Sequence, residues 1–343
     1  MKKRAIQIVL TLVFSALALY IALRGIDFED VGAALTRVDW AWMSLTGLLI
    51  LVTLVIRAER WRILLGRKVP LRDTFGLIGI GYLISGILPL RAGDPARAVG
   101  AGLRSSVSAI GALSTVVVER VLDMLIIVLI LIGTLPFVPG LQAYLATERV
   151  SDVLSFELIL ALAGILALAI LLTFVLVAIF PTTVERLARR LLEALRAPDP
   201  ERWLRPVQGV VEGLSALASP SDGLAIGLWS LALWCVTTAY FATTMWACRA
   251  FIPEPSLLKS LVATWSSAFG MVFPATGGIG SFHFAVREAL FWGFDLPRDQ
   301  GFAYAVIVHA LPYVTGILLG AAALMVWGMS LKNLVVQGQK IES

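Results

Sequence analysis

The run VVVERVLDMLIIV, residues 116–128, sets Glu119, Arg120 and Asp123 in the middle of aliphatic side chains. On a helix Glu119 and Asp123 fall one turn apart on one face, and Arg120, three residues before Asp123, can pair with it. Each such charge in hydrocarbon costs roughly 2.5–3.5 kcal/mol on insertion scales. Two readings meet that cost. One is an ion pair that locks helices together. The other is a binding site in which Arg120 receives an anionic headgroup while the carboxylates orient it or carry protons. A second constellation lies in GILPLRAGDPARAVG, residues 86–100, which offers Arg91, Asp94 and Arg97. Asp94 directly precedes Pro95, the pattern of an N-cap followed by proline at the first helical position. A helix N-terminus flanked by Arg91 and Arg97 is a phosphate-binding arrangement. The third, PATGGIGSFH at 274–283, holds Thr276, Gly277, Gly278, Gly280, Ser281 and His283, with Arg287 and Glu288 following. Its glycines permit close approach of a ligand or of another backbone. Arg287 and Glu288 are expected to pair with each other or with the hairpin that carries Arg91, Asp94 and Arg97.

Other chemistries are excluded on residue patterns. There is no Walker A sequence, no G-x-S-x-G and no H-E-x-x-H, so ATP-driven transport by this chain alone is not expected. His283 and His309 are the two histidines, neither in a metal-ligand spacing, and His309 reads as a hydrogen-bonded core residue. Cys235 and Cys248, thirteen residues apart in one apolar segment, read as inert packing. No metal, no cofactor and no nucleic acid partner is expected.

The elements that must carry these residues are membrane helices. The 343-residue chain is 59% hydrophobic and 15% charged, against roughly 25% charged in a soluble domain. Apolar stretches long enough to cross a bilayer occur at about 5–23, 40–56, 106–133, 156–180, 221–248 and 301–329. The first is too long for a cleaved leader and reads as a retained helix. Trp40, Trp42 and Trp61 stand near span ends, as interfacial belts require. Lys2, Lys3 and Arg4 put the N-terminus in the cytoplasm, and the acidic connection with Asp27, Glu29, Asp30 and Asp39 falls outside. The basic run Arg57–Arg72 and the arginines of 181–205 are cytoplasmic. Between the first of these and the external loop near 134–155 lie two apolar segments where charge accounting allows one crossing. The stretch 73–105 is therefore read as a re-entrant hairpin turning near Pro89, and 256–293 as a second one entering from the opposite face. Non-helical backbone at that depth must face protein or water.

Pro89 and Gly93 superpose on Pro274 and Gly278 at one offset, and a long apolar helix follows each hairpin. Hairpin plus helix then make two repeat units, 73–133 and 256–329, of inverted orientation within one transmembrane domain, 1–343. The expected fold is all-α and polytopic, with about six full spans and two re-entrant hairpins. The expected location is a prokaryotic inner membrane, with both termini cytoplasmic.

The series RAERWRILL, LPLRAGDPAR, VVVERVLD and FPATGGIGSF resembles the flippase-like transmembrane domain of lysylphosphatidylglycerol synthases. The pattern P-x-R-x-G-[DE]-x-x-R is matched by Pro89, Arg91, Gly93, Asp94 and Arg97, and E-R-x-x-D by Glu119, Arg120 and Asp123. P-x-x-G-G-x-G is matched by Pro274, Gly277, Gly278 and Gly280; members often carry glutamate shortly after it, where this chain has Phe282 and His283. The resemblance implies a membrane domain that moves or accommodates an anionic or aminoacylated lipid. Because the sequence stops at Ser343, the stand-alone form without synthase activity is expected.

The first functional reading is a lipid transporter or flippase, a phosphate-bearing headgroup entering between the hairpins against Arg91, Arg97 and Arg120. The cargo would be an anionic or aminoacylated phospholipid or a polyprenyl-phosphate lipid. The second is an integral-membrane glycosyltransferase with a polyprenyl-phosphate donor, using the acidic run DFED at 27–30. The third is a non-transporting partner of a separate lipid-modifying enzyme. A homo-oligomer is left open.

Overall fold

Caps and breakers cut the chain into helices close to those expected. In the computed structural model, residues 13, 16–17, 19–88, 92–147, 156–195, 199–273 and 275–328 are described, and all regular structure among them is helical. In chain order the helices are α1 (Phe28–Thr36), α2 (Trp40–Leu64), α3 (Leu71–Ile87), α4 (Gly93–Arg104), α5 (Ala109–Thr134), α6 (Pro139–Thr147) and α7 (Phe156–Ile179). They continue as α8 (Pro181–Ala194), α9 (Pro200–Leu214), α10 (Pro220–Ala247), α11 (Leu257–Gly270), α12 (Ser281–Phe294) and α13 (Arg298–Trp327). Asp39 heads α2 by accepting from the N–H groups of Ala41 and Trp42. Ser108 does the same for α5, Ser256 for α11, and Ser219 with Pro220 behind it for α10. Gly328 in the left-handed region stops α13.

Among the described residues, α2, α10 and α13 are long and apolar enough to cross a membrane, and a fourth crossing results if α7 and α8 form one broken span. α5 has 26 residues, about 39 Å at 1.5 Å per residue, and interrupts its apolar surface with Glu119, Arg120 and Asp123. Most of the stretch expected at 5–23, together with Pro89, Arg91 and Pro274, lies outside the described residues. Trp61 is not an interfacial residue. It is fully buried, its indole donates to Thr115 Oγ1, and the Arg97 guanidinium lies over its ring.

The axis of the molecule is the antiparallel pair α2–α10, packed along its length with Thr46 and Thr243 hydroxyls 2.8 Å apart. One end of the pair is closed by Asp39–Arg249, the other by Arg67–Asp222 and Lys68–Glu212. α3 and α4 form a helical hairpin whose open end is tied by Arg104–Asp73 at 3.2 Å. α11 and α12 form another, with Lys259 over the Phe294 ring at its open end. The arms have 17, 12, 14 and 14 residues, lengths of about 18–26 Å against a hydrocarbon layer of about 30 Å.

The packing repeats itself. α2 lies on α3, α3 on α4 and α4 on α5; likewise α10 lies on α11, α11 on α12 and α12 on α13. The cross-contacts match too, because α3 rests on α13 and α11 on α5. Backbones approach closely on the α3–α13 contact. Gly79 meets Gly320, Gly76 meets Ala323 and Trp327, Gly86 meets Tyr313, and Gly316 meets Tyr82, all positions where a Cβ would collide.

Candidate ion network and hairpin tips

The sequence turns five charged residues of the first half toward one point. Arg60, four residues before the end of α2, is fully buried. It holds Glu119 through Nε and Nη2 at 3.3 and 3.2 Å, and Asp123 through Nη1 at 2.8 Å. Arg60 also donates to Ser230 on α10. Arg97 on α4 donates to the other Glu119 oxygen at 2.6 Å and lies 3.3 Å from Asp94. Both Glu119 oxygens are therefore shared between two guanidinium groups with no exposure to solvent, an arrangement that offsets the desolvation of a buried carboxylate. Asp123 accepts in addition from the Trp234 indole at 3.2 Å.

The network has an open edge. Arg120 pairs bidentately with Asp94 at 2.9 and 3.2 Å, and its side chain is 41% exposed between Val117 and Met124 on the outward face of α5. Arg57 reaches across from α2, and its Nη1 stands 3.9 Å from the same Asp123 oxygen that Arg120 approaches to 3.8 Å. The buried Nε of Arg57 has no hydrogen-bond partner. Four guanidinium groups face three carboxylates, so the cluster keeps one positive charge in excess, and Arg57 and Arg120 flank Asp123 at its edge.

Several expected roles change. Asp94 does not cap α4, which begins at Gly93 after Ala92 with no side-chain cap; its carboxylate is spent on Arg120 and Arg97. Arg120 pairs more closely with Asp94 than with Asp123. Gly93 earns its place by contact, since a Cβ there would overlap the Gly81 carbonyl and its N–H donates to Ser85 Oγ. Arg57 and Arg60 were hidden in a basic run that reads as topology alone. Their signal is position: both lie inside the 25-residue α2, three residues apart and so on neighbouring faces.

The second set divides in two. At the tip, Gly277, Gly278 and Gly280 all have positive φ. The Gly280 N–H donates to His283 Nδ1 at 3.3 Å, and the Ser281 hydroxyl donates to the Gly278 carbonyl. Thr276 opens the short turn 276–278, which packs against α3. His283 and His309 have ring centroids 5.1 Å apart, and Phe282 stacks on His309. The Tyr313 ring fills the space beside Gly277, and its hydroxyl donates to the Gly86 carbonyl near the first hairpin's turn at 3.0 Å. Tyr313 thus joins the tip of the second hairpin to the end of α3. Arg287 and Glu288 are elsewhere. Arg287 donates to the carbonyls of Ala22 and Arg24, and Glu288 accepts from Arg287, Arg298 and Trp292. They hold the segment 22–24 ahead of α1 and pair with each other, not with the first hairpin. Asp27, from the acidic run, caps α1. Among the described residues no group of three or more His, Cys, Asp and Glu side chains could hold a metal ion.

The chain matches the lysylphosphatidylglycerol synthase TM region over residues 8–320. It belongs to this family. It is also 24% identical over 364 residues to Glycosyltransferase AglD of Haloferax volcanii, covering 98% of this chain and 57% of that protein. The chain therefore spans little more than half the length of that relative. No solved structure matches. Membership makes this a membrane protein with a lipid-related function, and the ion network is formed by the residues through which the sequence resembles the family.

Proposed function

We propose that this family member is a lipid transporter, moving an anionic or aminoacylated phospholipid or a polyprenyl-phosphate lipid between leaflets. The carrying observation is the uncompensated edge of the ion network. Arg120 is open on the lateral face of α5, the Arg57 side chain is 16% exposed beside it, and the two stand on either side of one Asp123 oxygen. A phosphate arriving from the lipid side supplies the missing negative charge and acceptors, while acyl chains stay against Val117 and Met124. Arg97, one of the arginines expected to grip the headgroup, is committed to Glu119 and Asp94 and acts as a positioning residue. In this reading α3–α4 and α11–α12 are re-entrant hairpins of an inverted repeat, a pattern supported by their matched packing and by arms too short to cross. The basic end with Arg67 and Lys68 faces the cytoplasm of a prokaryotic inner membrane. No separate enzyme partner is required by the chemistry of this site.

The test is leaflet exchange in liposomes carrying fluorescent phosphatidylglycerol. The wild-type protein raises the exchange rate, and Arg120→Gln or Arg57→Gln lowers it at least tenfold with the protein still folded. Unchanged exchange in both variants overturns the site. A second reading is an integral-membrane glycosyltransferase with a polyprenyl-phosphate donor, and the name of the relative, Glycosyltransferase AglD, favours its transferase part. It predicts sugar transfer that depends on Asp27 or Asp30 and no exchange activity.

A further inference from the structure

The outward wall of α7, with Leu168, Leu172, Leu176 and Ile179 exposed, runs directly into a helix the transport reading leaves unused. At Phe180 the chain bends by 99° into α8. At 100° per residue, Val184, Leu187, Ala188, Leu191, Leu192 and Leu195 fill one arc of α8 and its cap, and all five charged residues fill the opposite arc. α9 packs on α8 and ties Arg189 to Glu201 at 2.6 Å. Val184, Ala188 and Leu192 are half-buried, whereas Leu187, Leu191 and Leu195 remain 67%, 59% and 70% exposed. Arg186 and Arg190, both exposed, border that uncovered edge.

We propose that α8 is a docking helix for anionic phospholipid. It lies flat in the headgroup layer at the basic end of the molecule, Leu187, Leu191 and Leu195 sunk to the acyl boundary and Arg186 and Arg190 on lipid phosphates. α7 alone has 24 residues, about 36 Å, so α8 is not needed to complete a span. Five charges in 14 residues exclude it from hydrocarbon. A helix at nearly a right angle to a spanning one lies in the plane of the bilayer, where an apolar arc bordered by arginines is matched by acyl chains beside anionic headgroups. Continuity with the lipid-facing wall of α7 selects lipid over a protein partner. The attachment also reaches the ion network, because α9 rests Gly209 and Gly213 on Ile110 and Gly111 of α5. This inference does not depend on transport.

The test uses the full chain with Cys235→Ala and Cys248→Ala, a nitroxide at Leu191→Cys, and nanodiscs of phosphatidylcholine with or without phosphatidylglycerol. The label is expected to be more accessible to oxygen than to an aqueous nickel chelate. Arg186→Gln and Arg190→Gln are each expected to lower the co-purified phosphatidylglycerol roughly fivefold. A label that the nickel chelate reaches, a label immobilised by contact with a second copy, or phosphatidylglycerol retention unchanged in both variants would each overturn the proposal.

Discussion

Glu119 is the residue on which the first half turns, because both of its oxygens are held by buried arginines and it has no access to water. Breaking one partner leaves a buried charge uncompensated, which costs about 3–5 kcal/mol. Arg60→Met and Glu119→Gln should therefore lower the melting temperature in detergent strongly. Arg120→Gln leaves Asp94 its second partner, Arg97, and should lower the melting temperature less than either while still lowering exchange. Equal destabilisation by all three would mean that Arg120 is structural. The charges of α5 were legible because nothing else explains Glu119 and Asp123 amid aliphatic neighbours. Arg57 and Arg60 were not, since cytoplasmic loops are basic by default and RAERWRILLGRK looks like one such loop. Only tertiary packing distinguishes the inward Arg60 from Arg62, which is paired with Glu59 on the same helix.

At the level of elements, the hairpins depend on glycines that are interchangeable in sequence and not in space. Gly93→Ala places a methyl on the Gly81 carbonyl and should cost about 1–3 kcal/mol, read as a lower melting temperature and loss of the α3–α4 contact. Gly47→Ala on α2 meets nothing within 4 Å and should be neutral or stabilising by up to about 1 kcal/mol. Helix positions and the two turns were readable from apolar runs and Pro/Gly punctuation. The start of α4 was not, because the Asp94-Pro95 pair fits a cap equally well until the Arg120 guanidinium draws the carboxylate away. Nor did apolarity separate Trp61 from Trp40 and Trp42, expected at the same interfaces; its burial follows from Arg97 and Thr115, residues brought to it by other helices.

For the molecule as a whole, the matched packing of α2–α5 and α10–α13 makes a prediction about sidedness. In a background of Cys235→Ala and Cys248→Ala, Lys68→Cys should react with a membrane-impermeant maleimide from the cytoplasmic side alone. Arg249→Cys should react from the opposite side alone. Labelling of both from one side would dissolve the topology and with it the inverted pairing. Charge bias alone carries the expected orientation, whereas the correspondence of helix contacts is a property of the folded chain and has almost no sequence trace beyond two prolines and two glycines.

The two cross-contacts that pair the halves differ in kind. Between α3 and α13, backbone rests on backbone at Gly79 and Gly320; between α5 and α11, the Trp265 indole is hooked to Thr134 at 3.2 Å inside a knot with Leu131 and Val262. Both contacts are also keyed by aromatic side chains: sliding the first must lift Trp327, Tyr313 and Tyr82 out of the notches left by Gly76, Gly86 and Gly316, and sliding the second must unseat the Trp265 indole. The two halves are thus dovetailed rather than free to slip, and a relative movement must first undo a named ring at each joint. Tyr313→Phe, which removes the bond to the Gly86 carbonyl, should speed amide exchange along α3 and α13, and Trp265→Phe should speed it along α5 and α11.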